Sequence, residues 1–292
     1  MKKQIRFRQG ALRKWVQSLS ALAVNAHLKG FFTGKIYTGP LKHFCVPGLN
    51  CYSCPGAVGA CPIGAIQAVV GSRKGFPFLV VGWLALIGVL LGRFVCGWLC
   101  LFGLVQELLY KLPTPKWRVP ERTDRLLRRG KYFFLVVFVF LLPACLKQMG
   151  GLVSVPYFCK YVCPAGMLEG GLPLTLLDTG LRRAAGWLFA WKGVLLAALI
   201  VSSVFVYRPF CKYVCPLGAF YALFQRFSFL RLRVDREKCV DCGRCVRACP
   251  MGVDVLRSPN SPECIRCGAC AEGCPAKALR FSFREKSDAA DR

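Results

Sequence analysis

The sequence predicts an all-α polytopic membrane domain of about four transmembrane helices, followed by a small α+β module. Three observations predict it. The 292 residues are 55% hydrophobic, and much of that content lies in long charge-poor runs. Lys and Arg outnumber Asp and Glu by 41 to 14, a formal net charge of +27 that gathers beside those runs. Nineteen residues are cysteine, and the last eight form one doubled phrase near the C-terminus. A chain this apolar is not disordered. Its length, and its richness in Phe, Leu and Val, exclude a small disulfide scaffold.

In chain order, residues 1–14 form a basic segment with six cations: Lys2, Lys3, Arg6, Arg8, Arg13 and Lys14. Residues 15–206 form the membrane domain, with spans expected near 15–32, 76–95, 132–149 and 184–206. The run from Phe76 to Gly92 carries no charge, and residues 132–146 are almost wholly apolar. Extended to those bounds, the spans are long enough to cross about 30 Å of hydrocarbon. Residues 15–32 make a poorer span, interrupted by Gln17, Asn25, His27 and Lys29. Cations orient the chain. Residues 101–131 hold eight Lys or Arg, whereas 33–75 and 150–184 hold four and three. Both termini and the 101–131 segment are therefore expected in the cytoplasm, in a multi-pass protein of the cytoplasmic membrane. Trp187 and Trp191 fit an outer aromatic belt, and Arg93 and Lys192 fit side chains that snorkel to the interfaces, with screening of the charge on an inner cysteine-held cluster as the alternative for Arg93. Anionic lipid headgroups, not nucleic acid, are the expected counterions.

Residues 207–230 carry a cysteine motif and an amphipathic linker, 231–283 form the α+β module, and 284–292 are a polar tail. In the module, Cys239, Cys242, Cys245 and Cys249-Pro250 read C-x2-C-x2-C-x3-C-P, and Cys264, Cys267, Cys270 and Cys274-Pro275 repeat it. This is the bacterial ferredoxin spacing, in which the fourth cysteine of each phrase crosses to the other 4Fe–4S cluster. Cys239, Cys242, Cys245 and Cys274 are therefore expected to hold one cluster, and Cys249, Cys264, Cys267 and Cys270 the second. Gly243 and Gly268 allow close approach of backbone N–H groups to the sulfurs. Structural zinc shares the C-x2-C spacing but rarely takes eight cysteines in a doubled C-P phrase.

The other cysteines repeat a second phrase. Phe158-Cys159-Lys160-Tyr161-Val162-Cys163-Pro164 and Phe210-Cys211-Lys212-Tyr213-Val214-Cys215-Pro216 are identical over seven residues, and Cys96-x3-Cys100 is a third pair. Gly103, Gly166 and Gly218 follow the second cysteine by three, and Cys61-Pro62-Ile63-Gly64 shares that ending. C-x3-C places both thiols on one helix face, suited to a shared metal. Topology then sorts them into an inner set, Cys96, Cys100, Cys211 and Cys215, and an outer set. The outer set joins Cys159, Cys163 and Cys61 to Cys54, with Cys51 or Cys45 as alternatives and a Cys45–Cys51 disulfide as the competing arrangement. Cys145 reads as packing within the third span, and Gln106 and Glu107 as a solvated face. His27 reads as a polar residue facing the bundle and His43 as a loop residue.

With these motifs the chain resembles the polytopic membrane ferredoxins that combine C-x3-C-P motifs with a C-terminal double-cluster module. Members include the quinol-dehydrogenase membrane subunit of periplasmic nitrate reductase and the membrane protein that supports nitrous-oxide reductase. Leu101 stands where those motifs have proline, and the loop with Cys45, Cys51, Cys54 and Cys61 is an addition. The resemblance implies electron transfer between a cytoplasmic donor or a quinone and a membrane or exported redox partner. The chain then serves as a component of an oxidoreductase system, since no nucleotide loop, Ser/His/Asp set or fused flavin domain is visible. Two readings from other classes compete: an accessory factor for maturation of an exported metalloenzyme, and a membrane copper reductase.

Overall fold

The computed structural model of the protein describes residues 9–72, 77–145 and 155–283. Most of the basic N-terminal segment, residue 76 of the second expected span, residues 146–149 of the third and the polar tail 284–292 lie outside the described residues.

Helix α1, Gln9–Val24, is turned inside out relative to a soluble helix. It buries Arg13 and Gln17 and exposes Trp15, Leu19 and Leu22, spaced to form one outward stripe. It stops at Asn25, whose Nδ2 donates to Ala21 O at 3.0 Å. The backbone then pairs with residues 56–58, through His27 N to Gly56 O and Val58 N to Val24 O. The uninterrupted span expected over 15–32 is therefore broken. The polar residues that made it a poor span are the ones that turn the chain.

Helix α2, Pro62–Gly71, and helix α3, Phe78–Leu91, follow. α3 ends at Gly92, in the left-handed region at φ 55°, where a Cβ would stand 2.4 Å from Gln225 Oε1. Helix α4 covers Leu101–Tyr110. Helix α5, Glu121–Phe133, runs on through the wider π-type turns of Phe134–Leu141 into Leu142–Cys145. Cys145 is exposed on that rod. This corrects its expected role in packing, because its side chain points outward with the apolar Val136 and Leu141. Helix α6, Trp187–Phe205, is the one described helix both long and apolar enough to cross a membrane, and 11% of its apolar window is buried. Helix α7 spans Pro216–Phe224.

The C-terminal module is closed by a two-stranded antiparallel sheet of β1, Leu230–Val234, and β2, Leu279–Phe283, with Leu230 opposite Phe283 and Val234 opposite Leu279. Leu232, Val255, Leu279, Cys245 and Cys270 form its small core. Its two halves repeat their backbone. Asp241 and Arg266, Gly243 and Gly268, and Gly252 and Lys277 all have positive φ at matching motif positions. The module docks on the helices without a linker gap. Arg266 Nη1 donates to Leu91 O at 2.6 Å, Trp98 Nε1 to Arg266 O at 2.9 Å and Gln225 Nε2 to Cys264 O at 2.9 Å.

Candidate functional site

Four copies of one local unit build the membrane half of the site. Cys61, Cys100, Cys163 and Cys215 each stand at the N-cap of a helix in extended conformation. Pro62, Pro164 and Pro216 fill the first helical position, where the missing N–H costs nothing. The glycine three residues on sends its N–H to the cysteine sulfur: Gly64 to Cys61, Gly103 to Cys100, Gly166 to Cys163 and Gly218 to Cys215. A thiolate there also gains from the helix dipole.

Each unit carries a buried polar residue six positions after its cysteine: Gln67, Gln106, Glu169 and Tyr221. Gln67 donates from Nε2 to Cys159 Sγ at 3.3 Å and accepts from Phe158 N at 2.9 Å. Gln106 does the same to Cys211 Sγ at 3.3 Å and Phe210 N at 3.1 Å. Glu169 accepts from Cys51 N at 2.6 Å, and Tyr221 Oη donates to Pro47 O at 2.8 Å. Gln106 and Glu107, expected on a solvated face, are only 1% and 4% exposed. The two residues share the polar face that helical periodicity gives them, but that face points inward and not to solvent. The recurrence of a polar residue at this position in every copy was the available signal.

The structure draws the thiols into four groups. Cys96, Cys100, Cys211 and Cys215 lie buried within electrostatic range of one another. Cys51, Cys61, Cys159 and Cys163 line one cavity of about 470 Å³. Cys239, Cys242, Cys245 and Cys274 line a small concavity in the module, and Cys249, Cys264, Cys267 and Cys270 line another. Cys54 turns away from the large cavity, with its Sγ donating to Asn25 Oδ1 at 3.5 Å. Cys45 faces Cys61 from outside the cavity lining. All nineteen thiols are free, so the Cys45–Cys51 disulfide is not formed. Among the described residues no three donors converge as tightly as a single metal ion requires. A cube asks for something else, since each of its four cysteine ligands binds a different iron corner. Burial pushes the thiols of Cys51, Cys100 and Cys159 up to about 12. Groups of facing thiols that are costly to ionise alone fit a cationic iron–sulfide core, which binds the thiolate and releases the proton.

The loop expected on the outer surface folds inward. Gly48 packs on Cys100, where a Cβ would stand 3.3 Å from the Cys100 Cα, and the Leu49 N–H reaches the Cys100 sulfur. Leu49 and Cys51 also line the large cavity. The backbone from Leu49 to Cys51, at most about 7 Å long, therefore bridges the two membrane thiol groups. On the other side, a Cβ on Gly97 would stand 2.2 Å from Ile265 O. The module's second cysteine phrase thus abuts the residue after Cys96.

Buried ions surround the inner group. Glu107 pairs with Arg13 at 2.7 Å and Arg208 at 2.8 Å, and accepts from Tyr207 Oη. Glu263 pairs with Arg93 at 3.1 Å and with Lys131. Arg93 is fully buried, which corrects the snorkelling expected of it. The module supplies its carboxylate, so no path to the interface is needed. Lys192 donates to Cys159 O at 3.2 Å and is likewise turned to the cysteines. His27 Nδ1 meets Pro55 O at 2.9 Å, and His43 is exposed.

A family model described as a 4Fe–4S binding domain matches residues 59–78, 75–120, 151–172 and 187–235, and a second of the same description matches 232–253. The uncharacterized protein MJ0750 of Methanocaldococcus jannaschii is 31% identical over 76% of this chain and 86% of its own length. The chain belongs to the polyferredoxin-type family of 4Fe–4S proteins. This polyferredoxin is also similar to the methylamine utilization ferredoxin-type protein MauN of Paracoccus denitrificans, at 31% identity over 69% of this chain and 61% of that one. The ferredoxin-type protein NapH of Haemophilus influenzae is 27% identical over 62% of this chain and 54% of its own. No solved structure matches. The matched segments contain all four C-x-x-G units of the polyferredoxin, together with Gln67, Gln106, Glu169 and Tyr221.

One stability consequence follows from the buried ions. Glu107→Gln leaves Arg13 and Arg208 buried without their shared carboxylate, and loss of one partner from such a set costs about 3–5 kcal/mol. The thermal midpoint in detergent is expected to fall well below wild type, with the deficit little relieved by salt.

Proposed function

We propose that the protein is a membrane-bound iron–sulfur electron-transfer component. It relays electrons between a cytoplasmic donor or the quinone pool and a membrane or exported redox partner. The observation that carries this reading is the unbroken order of four cysteine groups. The module's two groups share one small core through Cys245 and Cys270, Ile265 abuts Gly97, and Leu49 connects Cys100 to the cavity of Cys51. 4Fe–4S clusters, when bound, take up and release single electrons. The chain's own part is to hold the thiols, exclude water and present hydrogen bonds to the sulfurs.

In this reading Cys96, Cys100, Cys211 and Cys215 hold the inner cluster. Cys51, not Cys54, joins Cys61, Cys159 and Cys163 in the outer one. Cys239, Cys242, Cys245 and Cys274 hold one module cluster, and Cys249, Cys264, Cys267 and Cys270 the other. A four-span arrangement in the cytoplasmic membrane, with both termini inside, is supported by the outward apolar stripe of α1 and by α6. It is supported too by Gly10 lying near the module's Glu272, which puts the start of α1 beside the C-terminal module. α3 is about 21 Å long and α1 about 24 Å, so each needs a locally thinned bilayer or flanking turns to complete a crossing. Irregular backbone is tolerated at that depth where it is buried in protein, as it is at Leu49, Asn50 and Cys54 of the inward loop.

Iron and acid-labile sulfide analysis of anaerobically purified protein tests the reading. About sixteen iron atoms per chain are expected, four for each of four cubes. About eight would limit the clusters to the module and sink the relay. The outer assignment has its own check: Cys51→Ser is expected to remove about four iron atoms, whereas Cys45→Ser and Cys54→Ser leave the content intact.

A further inference from the structure

We propose that Arg93 and Arg208 set the reduction potential of the inner cysteine site and make it more oxidising than the outer one. The inference rests on the iron–sulfur reading above. Each arginine stands three residues before the first cysteine of a pair, Arg93 before Cys96 and Arg208 before Cys211. The two cross over. Arg93 Nη2 donates to Cys211 O at 3.2 Å, and Arg208 Nη1 donates to Cys96 O at 2.5 Å. The opposite unit's glycine gives each guanidinium its room. A Cβ on Gly218 would stand 3.4 Å from Arg93 Nη2, and one on Gly103 would stand 2.8 Å from Arg208 Nη1. Arg208 also holds a positive φ of 47°, a conformation non-glycine residues adopt only when the surroundings enforce it.

Charge accounting separates the two membrane sites. At the inner site each arginine shares its carboxylate with a second cation: Arg93 shares Glu263 with Lys131, and Arg208 shares Glu107 with Arg13. Each set keeps one surplus positive charge, and both arginines are fully buried. At the outer site Pro156 takes the equivalent position before Cys159. Lys192 donates to Cys159 O from a half-buried position, Lys42 is held on Ala57 O, and Glu169 lies against Cys51 N. Burial holds the Glu169 carboxyl toward its neutral form, and Lys42 sits beside Cys54, which turns away from the cavity, so the positive charge facing the outer cysteines is that of Lys192, partly screened. Both sites receive a glutamine hydrogen bond on a cysteine sulfur, so this contribution cancels in the comparison. A cation in a low-dielectric interior acts strongly on a neighbouring charge. Net charge near the cysteines is one of the determinants of cluster potential. The extra electron is therefore held more tightly at the inner site, and electrons delivered at the outer site run inward.

The test is a redox titration followed by EPR on the full chain, purified anaerobically, with Cys211→Ala identifying the inner signal by its absence. Wild type is expected to reduce the inner site before the outer one. At the potential where the wild-type inner site is half reduced, Arg93→Gln and Arg208→Gln should each lower its reduced-to-oxidised ratio at least tenfold. That is a negative shift of about 59 mV or more for a one-electron couple. Arg93→Lys and Arg208→Lys keep the charge and are expected to hold the midpoint near wild type. Should a Gln variant fail to fold, the wild-type order of reduction and the Lys variants still decide. An outer site reduced first, or Lys variants shifted as far as tenfold, would overturn the inference. Full iron content with unmoved midpoints in the Gln variants would overturn this inference alone. About eight iron atoms in wild type would overturn it together with the reading it rests on.

Discussion

Cys211→Ala is expected to abolish electron transfer between a redox partner at the outer site and the module, while the module keeps its own clusters. Cys211 is buried beside Cys96 and Cys215, and its sulfur accepts from Gln106. Removing it opens one of four corners and leaves one Gln106 N–H unmet in a buried site, its amide still held by Phe102 O and Phe210 N, and an unmet donor there costs about 1–3 kcal/mol. Iron content should fall by about four per chain, and the EPR signals of the module should persist. The inner group stands between the module and the outer cavity, so its loss interrupts the only ordered path among the described residues. Transfer that survives this change at wild-type rate would contradict the relay and favour an accessory role. Gln106→Leu tests the same site more gently. It removes the sulfur hydrogen bond and the anchor for Phe210 N, and its iron content is expected to hold while the inner midpoint moves negative.

Gly97→Ala is expected to be among the most damaging single-carbon changes in the described residues. The added Cβ would meet Ile265 O at 2.2 Å, and the nearby atoms are backbone of the module's second cysteine phrase. Neither side is the far end of a flexible side chain, so relief requires the module and the inner site to separate. Separation also strains three neighbouring contacts: Trp98 on Arg266 O, Gln225 on Cys264 O and Arg93 on Glu263. The variant should keep its iron, because no thiol is touched. It should lose transfer between the module and the membrane clusters, measured as slow reduction of the inner EPR signal after rapid mixing with a donor that reduces the module. Rates equal to wild type would show that the Gly97–Ile265 contact has no part in the path. Hydrogen exchange gives a second readout, since the buried Gln225 and Ser228 become accessible only if the module undocks.

The eight module cysteines and the four C-x-x-G copies were legible because their chemistry is local. Spacing along the chain fixes which thiols share a turn, and a glycine or proline at a given offset reports a backbone need that no distant residue alters. The same locality exposed Gly243 and Gly268, whose positive φ is an intrinsic glycine property. Charge along the sequence likewise located the segments that gather beside the module, since Gly10 lies near Glu272 and Arg128 donates to Met251 O.

Tertiary structure alone decided what those units touch. Whether Cys51, Cys54 or Cys45 completes a foursome depends on how a long loop folds back, and nothing in its spacing says that Leu49 reaches Cys100. Gln106 and Glu107 looked solvated because helical periodicity finds a polar face without saying which way it points. In a soluble protein that face meets water. Here the exterior is apolar, with Trp15, Leu19, Phe78 and Trp187 exposed, so the polar face turns to the cysteines and ions within. Arg93 and Arg208 follow the same logic. Their positions before the cysteine pairs are written in the sequence, but their crossing between half-sites exists only once the two repeats pack. Sequence thus determined the ligand-bearing turns, which depend on contacts a few residues apart. Packing determined their partners and charge environment, which depend on contacts far apart in the chain, 92 residues for Gln67 to Cys159 and 118 for Arg93 to Cys211.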